Sequence, residues 1–428
     1  MDLQDVGYGG GSLIGYETPG CSDGQYRYLS PTATGGYNSD HGRAVRFPIN
    51  NFTTSHVEVL DLNAWGCANG WCGAQRLQGF TGCFVAGGKV YYAPYSARSG
   101  SLYLVVRVST SDWSGNTIEV LDMRGSGSCC SDAGGMKHGF SDGTYGYFWP
   151  DSTNTATNPG KIHRFSLSTF DSASVQVLDV EGANGGSKHG ASRTPPMFDG
   201  VFAWFAPHYS TTGEVLRIDP SVFSTSGITK LNLNAIDPVF TTCNPCYAFN
   251  TGAVLDATGT YLYVSSGAPG KTTDGTSTVA KLARIPTAAF GPAGTATGNA
   301  SQITIVDIAA LDSSGSGTHP YALAIDGPYL YWVSCHATDW AQRAVLGRMP
   351  VTAFDETTPS IDQFDFLTDV SQGPYLRCGT SLGIDGSYAY IMGSWSDTTS
   401  GTLQHTTGKI LRFPVTPHTP MHPYGPYP

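Results

Sequence analysis

Histidines are the side chains of this sequence with the most obvious chemistry, because imidazole binds metal ions and transfers protons near neutral pH. Three of the 11 histidines fall at predicted junctions between repeat units, where they could converge on a metal or acid–base site: His138, His189 and His319. They do not occupy equivalent positions in their units, and no HxxH or HxH pair occurs. The sequence therefore favours polar loop residues over a metal site, and no cofactor is expected.

Other catalytic signatures are missing. The sequence contains no G-x-S-x-G elbow, no P-loop, no G-x-G-x-x-G opening a helix and no paired-carboxylate motif. No catalytic residue is predicted, and an enzyme is not expected.

Composition narrows the class of partner. The 428 residues carry a net charge of −10 without any basic cluster, so nucleic acid is not an expected partner. No apolar run approaches the roughly 18 residues of a membrane-spanning helix, so the chain is not expected to span a membrane. Low charge (13%) with 54 glycines predicts an all-β chain rich in turns.

The ten cysteines favour disulfides and an oxidising compartment. Cys335 and Cys378 are predicted on one face in adjacent elements, and they form the expected long-range bridge. Cys21 and Cys83 fall on the first strands of adjacent units. Local disulfides are expected at the junctions between units, joining Cys67 to Cys72, Cys129 to Cys130, and Cys243 to Cys246.

Two sequons support secretion. Asn51-Phe-Thr53 and Asn299-Ala-Ser301 match the acceptor pattern for N-glycosylation. Together with the cysteines they predict an extracellular or cell-surface glycoprotein.

An internal repeat determines the fold. Seven units share a tight turn, which is Asp-Gly in five of them, an alternating aromatic strand and a strand with arginine, and all but the seventh continue with a short strand that carries Leu-Asp or a similar pair, as in "DGTYGYFWP" followed by "GKIHRFSLSTFDSASVQVLDV". Asp-Gly predicts a two-residue hairpin in which both residues tolerate positive φ. Seven units of four antiparallel strands predict a seven-bladed β-propeller over residues 1–415.

The repeated arginines predict structural ion pairs. Each arginine is followed by an aspartate on the next strand, and asparagine replaces it in the fourth unit. A guanidinium and a carboxylate on neighbouring strands can pair in bidentate geometry. The predicted pairs are Arg46–Asp61, Arg107–Asp122, Arg164–Asp179, Arg284–Asp307, Arg348–Asp365 and Arg412–Asp2.

The pair Arg412–Asp2 implies that the N-terminal segment closes the ring of blades. The seventh unit has Arg412 but no Leu-Asp strand after it, whereas Met1-Asp2-Leu3 fits that pattern. Residues 1–6 are therefore predicted to form the outer strand of the last blade.

Residues 416–428 form a proline-rich tail. Prolines recur every third residue at Pro414, Pro417, Pro420, Pro423 and Pro426. This period matches the three residues per turn of polyproline II, so the tail is predicted to be a stiff helix of that type that docks on a neighbouring copy, with docking on its own ring as the alternative.

The variability of the loops predicts which face of the propeller carries the function. Connections between second and third strands, and between blades, emerge on one face and vary freely, as "SPTATGGYNSDH", "PDSTNTATNP" and "SCHATDWAQR" show. We call this the variable face. The opposite face, which carries the Asp-Gly turns and the connections between third and fourth strands, is the hairpin face.

Two stretches resemble a known group of proteins. "HGFSDGTYGYFWP" with "GKIHRF", and "LQGFTGCFVAGGKVYYAPY", resemble repeats of secreted propellers of algae and other protists, and "IDGPYLYWVS" is similar to YWTD/NHL-type blades. The resemblance implies an extracellular setting, such as surface filaments, and brings no catalytic residues.

Three functions follow from these observations. The first is a non-enzymatic structural propeller in an extracellular filament or matrix, whose partners are copies of itself. The second is a propeller that binds glycans, other ligands or surface proteins through the variable face. The third is a metal-dependent lyase or hydrolase at the channel mouth.

Overall fold

Each repeat unit forms an antiparallel sheet in a computed structural model. The structure describes residues 1, 3–6, 16, 20–32, 40–73, 76–95, 103–123, 136–150, 160–180, 196–206, 213–233, 235–237, 240, 252–266, 280–292, 297–311, 318–336, 345–365, 378–385, 388–396, 403–404 and 410–415.

Blades 1 to 4 each contain four strands paired in chain order. The strands of blades 1 and 2 are β1 Cys21–Ser22, β2 Tyr26–Leu29, β3 Arg43–Pro48, β4 Glu58–Asp61, β5 Phe80–Ala86, β6 Lys89–Pro94, β7 Leu104–Ser109 and β8 Glu119–Asp122. Those of blades 3 and 4 are β9 Met136–Ser141, β10 Tyr145–Pro150, β11 Lys161–Ser166, β12 Gln176–Asp179, β13 Met197–Phe198, β14 Ala203–Phe205, β15 Glu214–Ile218 and β16 Ile228–Asn232.

Blades 5 to 7 repeat this order, except that the described residues of blade 7 include no fourth strand. The strands of blades 5 and 6 are β17 Ala253–Leu255, β18 Tyr261–Ser265, β19 Lys281–Pro286, β20 Thr304–Asp307, β21 Thr318–Asp326, β22 Tyr329–His336, β23 Val345–Pro350 and β24 Asp362–Asp365. Blade 7 contains β25 Cys378–Asp385, β26 Tyr388–Ser396, the short β27 Leu403–Gln404 and β28 Ile410–Pro414.

Short helices follow the third and fourth strands. Two of the described helices are α-helical, α1 Leu62–Ala68 and α2 Ile308–Leu311. The described 3-10 helices are Leu3–Val6, Thr54–His56, Gly115–Thr117, Ser172–Ser174, Thr225–Gly227, Thr287–Phe290, Ala300–Gln302 and Val351–Asp355. None of the described helices is long and apolar enough to cross a membrane.

Seven apolar clusters lie between neighbouring blades, one at each interface. The cluster between the last and first blades joins Tyr390 and Ile410 to Leu29 and Phe47, all of which are buried. Since this interface connects the two ends of the repeat series, the sheets form a closed ring. The predicted all-β seven-bladed β-propeller is confirmed.

The Asp-Gly turns differ from their predicted form. In blade 3, Asp142 is the last paired residue, because its N–H donates to the carbonyl of Tyr145 at 3.3 Å. The positive φ belongs to Gly143 alone (89°). The Asp142 carboxylate instead accepts hydrogen bonds from Tyr145 N at 2.7 Å and from the Tyr147 hydroxyl at 2.6 Å. The aspartate therefore fixes the turn with its side chain and orients the aromatic strand that follows.

The N-terminus closes the ring with one residue and a helix. Met1 and Ile410 exchange two backbone hydrogen bonds, each 3.0 Å long. This is the pairing of Leu60 with Ala44 in blade 1, so Met1-Asp2-Leu3 does occupy the Leu-Asp-Leu position. The prediction of a strand over residues 1–6 was wrong, because Leu3–Val6 is helical, like α1 after β4. Asp2 lies outside the described residues.

Candidate interaction site

The repeated arginines form a ring near the hairpin face. The arginine of each described third strand places its guanidinium over an aromatic ring of the same blade. Arg164 lies 4.4 Å from the centroid of Tyr145, and Arg412 lies 4.1 Å from that of Tyr388. At these distances the cation is attracted by the electron-rich face of the ring.

Six of these guanidinium groups also contact described residues of the next blade. Nη1 of Arg107 donates to the carbonyl of Leu167 at 2.7 Å, and Nη1 of Arg412 donates to that of Ile49 at 3.1 Å. The second contact links blade 7 to blade 1. Equivalent bonds connect Arg46 to Thr110, Arg164 to Pro220, and Arg217 to Gly291 and Pro292. Arg284 bonds the Asp355 carboxylate instead.

A second aromatic ring, supplied by the next blade, completes the site. The guanidinium of Arg107 lies 4.0 Å from the centroid of Phe170, and that of Arg164 lies 4.1 Å from Phe223. Both phenylalanines have positive φ, 47° and 37°, a strained conformation for a bulky residue. We infer that stacking and the hydrogen bonds offset this strain. Each of these arginines therefore links its own blade to the next. We call them the latch arginines: Arg46, Arg107, Arg164, Arg217, Arg284 and Arg412.

The predicted Arg–Asp pairs do not form where they are described. Arg46 donates to Glu58 at 2.7 Å, because these residues lie directly opposite in the sheet. Asp61 lies three residues further along β4, and alternation of side chains places it on the other face. In the other blades the residue opposite the arginine is Glu119 for Arg107, Gln176 for Arg164, Thr229 for Arg217, Thr304 for Arg284 and Asp362 for Arg348, in place of the predicted Asp122, Asp179, Asn232, Asp307 and Asp365.

The aspartate that recurs at the end of the fourth strands has another role. The Asp61 carboxylate accepts a hydrogen bond from Ala64 N at 2.8 Å, and that of Asp307 accepts one from Ala310 N at 3.2 Å. Both side chains therefore cap the first turn of the helix that follows the fourth strand. The sequence signal for the true arginine partners was the acidic or polar residue three positions before this aspartate.

The hydrogen bond from Arg107 also affects the pKa of its partner Glu119. Burial alone would raise the pKa of Glu119, but hydrogen bonds from Arg107 and Lys89 lower it below its usual value. A lowered pKa in the folded state means that the pair stabilises the protein above the ordinary carboxyl pKa. This contribution is lost as the pH falls through the lowered pKa of Glu119.

Substitution of a latch arginine tests how much its contacts stabilise the fold. Arg107→Met should lower the free energy of unfolding by about 2 kcal/mol, because charge-assisted bonds to Glu119 and Leu167 are lost. Arg43→Met is the matched control. Arg43 lies 3.9 Å from Asp61 with both side chains about a quarter exposed, so the cost should be about 0.5 kcal/mol. Urea denaturation measures both, and equal losses would contradict the latch.

The histidines proposed as metal ligands do not form a described cluster. His138 is buried in β9, and His319 lies opposite Cys335 in the backbone pairing of blade 6. His189 lies outside the described residues. Within the described ranges, no group of three His, Cys, Asp or Glu side chains could hold a metal ion.

Two disulfides lie within the described part of the chain. Cys21 of β1 is bonded to Cys83 of β5, which links the first strands of blades 1 and 2. Cys67 is bonded to Cys72, as the prediction of a junction staple requires. Backbone pairing places Cys335 directly opposite Cys378, at the single point where the sheets of blades 6 and 7 join. That bridge remains a prediction, and Cys129, Cys130, Cys243 and Cys246 lie outside the described residues.

Both sequons lie on the hairpin face, after third strands. Asn299 is exposed, and its side-chain oxygen accepts a hydrogen bond from Ser301 N at 3.0 Å. The Thr53 hydroxyl donates to the side-chain oxygen of Asn51 at 3.3 Å. Asn51 is half-buried, and its side-chain nitrogen lies 3.0 Å from Nε2 of His56. Most loops of the variable face and the tail from 416 to 428 lie outside the described residues, so their predicted roles remain predictions.

Comparison with known proteins identifies the fold and no family. No protein-family model matches the sequence, and no curated protein is similar to it. The resemblance of the repeats to algal and protist propellers therefore remains a prediction.

Solved structures include propellers of similar shape. The Cps50 (Swd1) β-propeller domain of Myceliophteria thermophila matches with a TM-score of 0.51 and 10% identity, over 94% of this chain and 97% of that one. A putative 6-phosphogluconolactonase from Bacteroides uniformis matches with a TM-score of 0.47 and 10% identity, over 91% and 99%. Chaetomium thermophilum Sqt1, bound to the N-terminus of ribosomal protein L10, matches with a TM-score of 0.47 and 11% identity, over 89% and 83%. At these identities the likeness concerns the fold alone.

Proposed function

We propose that the protein is a non-enzymatic extracellular propeller that assembles with copies of itself through its proline-rich tail. The observation that carries the proposal is the anchoring of the tail. Val415, the residue before the tail, is only 5% exposed and packs with Leu346 and Leu382 between blades 6 and 7. The tail therefore starts from a rigid point of the ring, at the end of a third strand on the hairpin face.

A polyproline II segment suits docking in trans. It is stiff before it binds, so little conformational entropy is lost on contact with an aromatic groove. A tail given by each copy to the next is a head-to-tail contact, and such contacts build rings or open filaments.

The disulfides and sequons support the extracellular part of the proposal. Disulfides persist in oxidising compartments, and Asn299 of the second sequon is exposed. Secreted protein should lose mass when treated with an N-glycosidase. An unchanged mass would remove the support that the sequons give.

Truncation tests assembly directly. Light scattering after gel filtration should give a mass well above the 45.3 kDa of one chain for the full-length protein. A chain ending at Val415 should give the monomer mass with an unchanged melting temperature. A matched variant with alanine at 417, 420, 423 and 426 keeps the tail length and should also be monomeric. Identical masses for all three chains would contradict the proposal, and a lower melting temperature with unchanged mass would indicate docking in cis.

A further inference from the structure

Blade 4 exposes two apolar side chains on the hairpin face. Val201, in the turn between β13 and β14, is 62% exposed, and Val222, in the connection after β15, is 49% exposed. Among the described residues only one other large apolar side chain is exposed, that of Ile236. Single exposed apolar residues are ordinary on a protein surface, so the position of the two valines relative to each other decides whether they form a site.

The two valines lie side by side. β14 and β15 pair antiparallel with Ala203 opposite Ile218, and the same register places Val201 opposite Pro220. Val222 follows Pro220 by two residues in the same connection. The turn and the connection of blade 4 therefore present one continuous apolar surface.

The rings of Phe202 and Phe223 extend this surface, and each adjoins one of the valines in sequence. Both rings are half-buried, and each stacks on a latch arginine, with 4.5 Å and 4.1 Å between the guanidinium and the ring centroid. Because the arginines hold the rings, little conformational entropy is lost when a partner binds. We call Val201, Phe202, Val222 and Phe223 the blade 4 patch.

The repeat itself does not require apolar residues at these positions. The equivalents of the two valines are Thr144 and Thr169 in blade 3, and Gln25 and Asn51 in blade 1. Those blades form the same turn and the same connection with polar side chains. Valine at both positions is therefore a property of blade 4 that folding does not explain.

We propose that the blade 4 patch is the docking site for the proline-rich tail of another copy of this chain. This inference rests on the proposed function and names the surface that receives the tail. Residues 416–428 contain no Asp, Glu, Lys or Arg. The period of polyproline II puts prolines on one edge of the tail and His418, Met421, Tyr424 and Tyr427 on a second. A segment with two largely apolar edges suits the uncharged side chains of the patch.

The tail also starts in a suitable place. It follows Val415, at the end of β28 on the hairpin face, which is the face that carries the patch. Its 13 residues would span about 40 Å as polyproline II, enough to reach the hairpin face of a second ring. Blade 7 donates the tail and blade 4 receives it, so the two surfaces differ, as a head-to-tail contact requires.

The test uses a labelled peptide with the sequence of residues 416–428 and dilute full-length protein. Fluorescence anisotropy should show saturable binding to the parent. The double variant Val201→Thr with Val222→Thr, which gives blade 4 the residues of blade 3, should bind the peptide about tenfold more weakly, because apolar burial is lost. Ile236→Thr, in the connection after β16, is the matched control and should bind the peptide like the parent.

The outcomes separate this inference from the proposed function. Equal binding by the parent and the double variant would overturn the patch as the docking site and leave assembly through the tail standing. Failure of the parent to bind the peptide would overturn both.

Crosslinking locates the docked peptide directly. A peptide that carries a photoreactive group at Tyr424 should crosslink to residues 199–203 or 219–224 of the full-length protein. Crosslinks concentrated on another blade would overturn the proposal.

Discussion

Deletion of residues 1–6 should lower the free energy of unfolding by about 4 kcal/mol, one of the two largest effects that we expect from a change to this protein. Leu3 is fully buried between blades 7 and 1, where it packs against Tyr390, Met392 and Ile410. The deletion removes that side chain and the two backbone bonds of Met1, and it leaves the core of the ring closure open to water.

Urea denaturation followed by tryptophan fluorescence measures this loss. Leu3→Ala should account for about 3 kcal/mol of it, because a buried leucine is truncated. Leu3→Met, which conserves volume, is the matched control and should cost less than about 1.5 kcal/mol. If the deleted chain unfolds at the same urea concentration as the parent, the N-terminal segment has no part in closure.

Removal of the Cys21–Cys83 bridge should cost about 4 kcal/mol when both residues are replaced by alanine. The bridge closes a segment with a sequence separation of 62, and the entropy that a cross-link removes from the unfolded chain increases with the length of that segment. The bridge also connects the first strands of two blades, so the variant should lose stability at their interface.

The Cys67–Cys72 bridge provides the matched control. Its sequence separation is 5, so the same reasoning gives about 2 kcal/mol for the double alanine variant. Both variants are compared with the parent by urea denaturation under non-reducing conditions. A loss at Cys67–Cys72 that equals or exceeds that at Cys21–Cys83 would contradict the entropic account.

The repeat made the fold predictable. Seven arginines at one position, each after a tight turn and an aromatic strand, determine the strand order and the number of blades. The register within a blade was harder to predict. Arg46 pairs with Glu58, whereas the sequence pattern predicted Asp61 as its partner. Asp61 lies three residues away on the opposite face of the sheet. Spacing alone does not reveal where antiparallel pairing begins, and a shift by an odd number of residues changes the face.

The contacts between blades could not be read from the sequence. A phenylalanine follows the third strand of several blades, and its partner is the arginine of the preceding blade. Arg107 and Phe170 are an example. Only the packing of neighbouring blades brings such residues together. The N-terminal match was partly predictable, since Met1 takes the expected position while Leu3–Val6 turns into a helix.

Electron microscopy of the full-length protein beside the chain that ends at Val415 tests the central claim most directly. The two samples are imaged at the same concentration after the same purification. The account predicts ring-shaped particles joined head to tail in chains or closed groups for the full-length protein, and separate single rings for the truncated one. Separate single rings in both samples, or the same joined particles in both, would contradict assembly through the tail.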